Sequence, residues 1–361
     1  MEKAIKDDKI SDFRNLVNSN SSFVYNTYHN KNGKNQWNII CSCMDWITVS
    51  IRYLQHTPGF EENIDVRVMQ MFSLISAIDL VSEAITQLHR VFINPRTLPF
   101  SGEKECFTNR LFDEDDNSYF KSIRASFGAH PVNLNHSDCK RFASWPYDDH
   151  MDNDELTVNL YSNKVGESDL VMVLNSNELF CFLLKRYDYL DVLSQAITKL
   201  FNDFKLNLTR QPIETKASYL EQLYILKNES EIRLNNDYYN DVIDNLIMVY
   251  EAEPLEPDLE IKAANYRRSL KLLIDEIKIN LQLMNIIDLD NDGLLEPKSD
   301  LSRKLSYELG KFYSWLHESR YDPLANYYLK RFNEETDYIY DFKIEDPVNT
   351  LFIKAKIMLL D

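Results

Sequence analysis

The chain has 361 residues, 44% hydrophobic and 27% charged, and a formal net charge of −17. That length exceeds what one hydrophobic core usually serves, so two domains are expected, and the composition is too apolar for general disorder. Seven glycines argue against glycine-rich phosphate loops and a turn-rich sheet fold, and the acidic balance leaves a nucleic acid only a local basic patch to bind.

Residues 3–18 predict a short helix followed by a polar connector rich in Asn and Ser. Residues 35–56, with Trp37, Ile39, Ile40, Met44, Ile47, Val49, Ile51 and Leu54, read as a largely buried helix. Ile64, Val68, Met71, Ile75, Ile78, Ile85, Leu88 and Phe92 then recur at intervals of three, four or seven, the stripe of a long amphipathic helix that Asn94-Pro95 ends. The acidic run 113–116 leads into a short helix, capped by Asp116 or Asn117, whose stripe is Phe120, Ile123 and Phe127; Gly128 and Pro131 mark its end. Over 155–175 the period changes to two, and LTVNLYS and DLVMVLNS predict a β-hairpin.

Helix returns over 178–206, and the polar segment KLNLTRQPIETK is the expected domain boundary. Further helices follow near 215–232, 236–252, 258–286, 300–318, 322–333 and 346–360. The fold class is therefore mainly α: a helical domain over 1–206 with a small β-hairpin insertion, then a C-terminal helical domain over 214–361. The tyrosines of the second domain suggest packing between helices, with a protein-contacting groove as the alternative.

The five cysteines, Cys41, Cys43, Cys106, Cys139 and Cys181, form no CxxC pair, which reads as reduced thiols in a cytoplasmic protein. No apolar leader opens the chain, and no run approaches the roughly 18 apolar residues of a spanning helix, so no membrane partner is expected.

The chemically suggestive stretch is YFKSIRASFGAHPVNLNHSDCKR. Arg124 offers a permanent forked cation suited to a phosphodiester, and His130 can exchange a proton near neutral pH. Together they suit RNA cleavage without a metal: histidine moves the proton of the 2′-hydroxyl or leaving oxygen, and arginine answers charge on the phosphorane-like transition state. On an ideal helix, six residues separate the two side chains by about 120° around the axis. A helix stop at Gly128, or a second copy across a symmetric dimer, would bring them to one site. Lys121, Arg124, Lys140 and Arg141 stand against Asp138 alone between positions 117 and 141, a basic island in an acidic chain. The competing reading is structural, with both residues answering the dipole at a helix C-terminus.

Arg124, five intervening residues and His130, late in a helix of an acidic helical domain, resemble the Arg–four to six–His signature of the HEPN superfamily. The similarity covers at most residues 35–130, and Ala125 stands where many members carry a polar residue. The resemblance implies an all-helical, commonly dimeric, metal-independent ribonuclease of a toxin or phage-defence type, with Arg124 and His130 catalytic; members that only bind nucleotides or partners also exist. Lys121, Lys140 and Arg141 are the expected RNA-binding residues. No cofactor is expected. The partners expected are RNA or a nucleotide, a second copy of the chain, and a protein at the C-terminal domain. The alternative is a non-enzymatic helical interaction protein.

Three other constellations are weaker. His130, His136, Cys139 and His150 are zinc-ligand types at no familiar spacing, and a His-rich loop is the favoured reading. Asp288, Asp290, Asp292 and Gly293 match the first half of a calcium loop, but position twelve is Ser299, so a polar helix connector is favoured. Asp79 and Glu83, one turn apart on the long helix, could set a carboxylate beside Arg124; solvated or structurally paired carboxylates are the commoner case.

Overall fold

A computed structural model describes residues 5–57, 59–129, 134–136, 139–146, 154–233, 235–285, 287–318 and 322–360. The chain is mainly helical and divides into two compact units, Met1–Phe201 and Asn202–Asp361, with the division inside a helix.

The first unit opens with α1 (Asp8–Ser19), α2 (Ser21–Tyr28), α3 (Gln36–Gln55) and α4 (Ile64–Phe92). The helix α2 lies in the segment expected to be a connector; it buries Phe23, Val24 and Tyr28 among its polar residues. Side-chain caps start the longer helices. Asn35 Oδ1 accepts the Asn38 N–H at 3.1 Å, and Asn63 Oδ1 accepts those of Asp65 and Val66 at 3.0 and 3.2 Å. The helices α3 and α4 pack along their stripes, with Ile40, Met44, Ile47 and Ile51 against a face that includes Met71, Ile75, Ile78 and Ile85. Each such side chain stabilises the fold by about 1.5–3 kcal/mol on burial. By length and mean hydropathy alone, α4 would also pass as a membrane-crossing helix, but half of its most apolar window is buried within the unit. The expectation that no segment comes near this test missed that a few charges do not lower the average enough.

α5 (Asp116–Ile123) runs into a π-helical turn, Arg124–Ala129, and that turn packs on α4. The cap is Asp115, whose Oδ1 accepts the Ser118 N–H at 2.8 Å; neither Asp116 nor Asn117 holds that place. β1 (Leu134–His136), β2 (Cys139–Ser144), β3 (Glu155–Ser162) and β4 (Leu170–Asn175) form an antiparallel sheet in the order β1-β2-β3-β4. The expected hairpin is β3–β4, with Leu156 opposite Leu174 and Val158 opposite Met172. These four residues are buried, while Val171 and Val173 on the other face are exposed. Strands β1 and β2 escape a pattern-based reading because an inward position of β2 is held by a charged residue, Arg141.

α6 (Ser176–Asp188) packs on α4, and α7 (Leu190–Thr209) follows it. The second unit contains α8 (Tyr219–Arg233), α9 (Asp237–Glu251), α10 (Pro257–Ser269), α11 (Lys271–Leu283), α12 (Asp300–Lys304), α13 (Ser306–Glu318), α14 (Ala325–Glu335) and α15 (Val348–Met358). The segments 178–206, 258–286 and 300–318, each expected as one helix, are broken near Tyr189, Leu270 and Leu305. None of these breaks carries a proline or glycine to announce it. Within this unit α15 is buried on every side from Thr350 to Met358, packed by α9, α10 and α13. That all-round burial makes it the central helix of the unit.

Candidate functional site

The amino-acid order places Arg124 at the point where α5 widens into the π-helical turn. Hydrogen bonds of the i→i+5 type return the chain to the same side of the axis after five residues rather than four. The turn runs through Gly128 to Ala129, one residue past the expected stop. His130 lies outside the described residues.

Arg124 is 45% exposed, and its Nε stands 2.9 Å from Oδ2 of Asp79, which is 17% exposed on α4. The Arg124 backbone N–H bonds to the Lys121 and Phe120 carbonyls, and Asp79 is the partner of its guanidinium among the described residues. Burial pushes the Asp79 carboxyl above the ordinary range; Arg124 and Lys121 counter it, and Glu83 adds to it. A carboxylate that grips an arginine through Nε fixes the plane of the guanidinium while leaving the terminal nitrogens as a fork, the geometry that suits a phosphate. Lys121, one turn earlier on α5, is exposed. The structure thus brings together Asp79, Lys121 and Arg124.

The remaining expected RNA contacts, Lys140 and Arg141, lie on β2, which packs against the π-helical turn. Lys140 has an exposed side chain on β2. Arg141 is 5% exposed: its NH1 donates to the Leu160 and Ser168 carbonyls at 3.2 and 3.0 Å, and its NH2 lies 3.6 Å from Glu167. Its guanidinium ties β2 to the β3–β4 loop and is not presented to a phosphate. This corrects the expectation that Arg141 meets RNA. It also shrinks the basic island, since Arg124 is itself paired.

A buried polar clamp sets the start of α5. The Asp116 carboxylate, fully buried, accepts the Glu105 and Cys106 N–H groups at 2.9 and 3.0 Å and an Arg110 N–H at 2.5 Å. Burial opposes its ionisation, but these donors outweigh it and hold the carboxyl below the ordinary range. Arg186 on α6 lies over the Phe182 ring at 3.5 Å and the Phe100 ring at 4.6 Å and donates to Asn117 Oδ1 at 2.7 Å. Sequence reading missed this clamp because its members are spread from 100 to 186 with no local spacing.

Of the weaker constellations, His130 and His150 lie outside the described residues; for His136 and Cys139 the backbone alone is described, paired across β1 and β2. In the aspartate-rich loop, Glu276 accepts the N–H groups of Asp290 and Asn291 at 2.6 and 3.1 Å, and Tyr238 donates to Asp292 at 2.7 Å. Ser299, not an aspartate, caps α12. The loop is a connector bonded to its own unit, and no cluster of three metal-ligating side chains occurs among the described residues.

Compared with known proteins, the chain matches no protein-family model, no curated protein and no solved structure.

Proposed function

We propose that the first unit is a HEPN-like RNA-cleaving module, of a toxin or phage-defence type, in which Arg124 grips the scissile phosphate and His130 carries the proton. The observation that supports it is the Arg124–Asp79 pair: a half-exposed guanidinium held through Nε, at the turn that leads into His130. Asp79 acts as a positioning residue, and Lys121 adds a second cation on the approach. The reaction needs no metal in this scheme: the 2′-oxygen attacks phosphorus as its proton leaves, and the 5′-oxygen departs as it gains one. The test is degradation of RNA by the purified full chain in excess chelator, with growth of bacteria expressing it as the cellular readout. Arg124→Ala and His130→Ala should each abolish both effects with thermal stability kept. Cleavage that survives either change, or none by the native chain, would refute the assignment.

A second reading, a non-enzymatic interaction protein, is favoured by one observation. On α3, Ile39, Trp46, Val49 and Tyr53 are exposed along one seven-residue-spaced seam, and Met69 is exposed on α4. Under the first reading the same seam joins two copies of the chain. Light scattering separates the two: a dimer broken by Trp46→Glu fits the ribonuclease reading, and a monomer fits the interaction reading.

A further inference from the structure

The second unit contains a cavity of about 340 Å³, within the range of small-molecule sites, between α9, the loop before α12, α13 and α15. Its wall includes Lys356 of α15, which is 6% exposed. The ammonium lies over the rings of Tyr313 and Phe352, at 4.4 and 4.8 Å from their centroids, and has no hydrogen-bond or ion-pair partner among the described residues. Lys354, two residues earlier, shows how the same helix treats a lysine with a purely structural role: its Nζ donates to Asp346 at 2.7 Å and to the Asp341 carbonyl at 2.9 Å. Lys356 has nothing of the kind.

Two further polar atoms in the same wall lack partners. The Tyr313 hydroxyl and the Asn245 side-chain oxygen are both buried without a hydrogen bond. Orphaned polar groups are rare in protein interiors and each is destabilising. One cavity thus gathers an ammonium held by ring faces alone among the described residues, and a buried hydroxyl and amide oxygen without a hydrogen bond. Phe352, Leu309 and Leu359 supply an apolar wall beside them.

We propose that this cavity binds a small organic monoanion: a carboxylate received by Lys356 and Tyr313, an apolar or aromatic body on Phe352 and Leu309, and a hydroxyl or amine donor that meets Asn245. The lining carries Lys356 and Lys298 against Glu296, an excess of one positive charge. That excess matches a single carboxylate and falls short of a phosphate dianion, while Glu296 repels a second negative charge. The burial that strips water from the ammonium also favours an anion over the free site. The inference is independent of the Arg124 chemistry, because every residue it uses lies in the second unit.

The experiment is calorimetric titration of the full chain with benzoate, 4-hydroxybenzoate and 4-aminobenzoate, beside benzyl alcohol and inorganic phosphate. Saturable binding is expected for the carboxylates, tighter for the two ring-substituted ones, and at least tenfold weaker for the alcohol and for phosphate. Lys356→Met keeps the length of the side chain and removes the charge; it should weaken carboxylate binding at least tenfold in a folded protein, whereas Lys354→Met should leave binding intact if the helix still folds. Tyr313→Phe should weaken it less. Carboxylate binding unchanged in Lys356→Met, equal binding of benzyl alcohol, tighter binding of phosphate, or no binding of any of the three carboxylates would each overturn the proposal.

Discussion

Arg124 and Asp79 meet at 2.9 Å where the π-helical turn after α5 packs on α4, a residue from a short helix end held by one from the middle of the longest described helix. The pair is half in solvent on the arginine side, so its stability contribution belongs with surface ion pairs. Arg124→Ala should therefore change unfolding free energy by less than about 1 kcal/mol. Its effect on RNA cleavage should be far larger, a loss of about 100-fold or more in kcat, the size found when one donor to a developing oxyanion is removed. Thermal melting and cleavage assays on the same preparation separate the two roles.

Asp79→Asn tests positioning rather than contact. The amide keeps the shape of the carboxylate but not its charge, so the guanidinium stays in place less of the time. The expected outcome is a fall of about 10-fold in kcat with KM little changed, because only the oriented population reacts productively. A variant whose KM alone rises would assign Asp79 to substrate binding instead.

Arg141 separates folding from recognition. Its guanidinium is bonded to two carbonyls inside the sheet, and its removal leaves the Leu160 and Ser168 oxygens to find other donors. Arg141→Met should cost about 1–3 kcal/mol, measured by urea unfolding. RNA affinity of the folded variant should equal that of the native chain. Lys121→Ala should do the reverse, weakening RNA binding and its salt dependence with stability unchanged.

How far the sequence discloses this structure follows from the range of the interactions. The stripes of α3 and α4 and the alternation of β3 and β4 are local periodicities, and they are legible because one buried face repeats along each element. The breaks at Tyr189, Leu270 and Leu305 are not legible, since tertiary packing and not a proline or glycine ends those helices. At the site, helix spacing offers Asp79 as a carboxylate within reach of Arg124 but favours a solvated one, and only the packing of the π-helical turn on α4 decides for the pair. The burial of Arg141 is not legible, because a charged side chain in a strand looks the same whether it faces water or a carbonyl. The same limit hides Lys356, which in sequence is one more lysine near a helix end.

Asp116 carries a prediction for acid conditions. Its carboxyl is held below the ordinary value of about 3.9 by Arg110 and two backbone donors, against the effect of burial. A carboxylate with a depressed folded pKa stabilises the native state above the unfolded value, and that contribution is lost as pH falls through the folded one. Asp116→Asn should cost about 3 kcal/mol near neutral pH, since it leaves Arg110 without its buried partner. The difference between variant and native protein should narrow below pH of about 3.9. Chemical unfolding at pH 7, 5, 4 and 3 reads this directly.

Lys356 contributes a penalty rather than a gain, and it is lifted at the alkaline end. Burial lowers its pKa from 10.5 to about 8, with Glu296 acting weakly the other way. Below about pH 8 both folded and unfolded chains carry the proton, and the whole penalty of burying the ammonium is present. Between about 8 and 10.5 the unfolded chain binds more protons than the native one, so stability rises with pH; above 10.5 the penalty is gone. The shift corresponds to about 3 kcal/mol. Lys356→Met should accordingly be more stable than the native protein by up to that amount at pH 7, and the gap should close by about pH 10.5. Because other groups titrate in this window, the difference between the two unfolding curves, not either alone, isolates the lysine. A native chain that keeps a lysine whose loss is stabilising retains it for something other than folding. If Lys356→Met is instead less stable at pH 7, the ring faces of Tyr313 and Phe352 together with Glu296 compensate the ammonium fully, and the lysine needs no ligand to explain it.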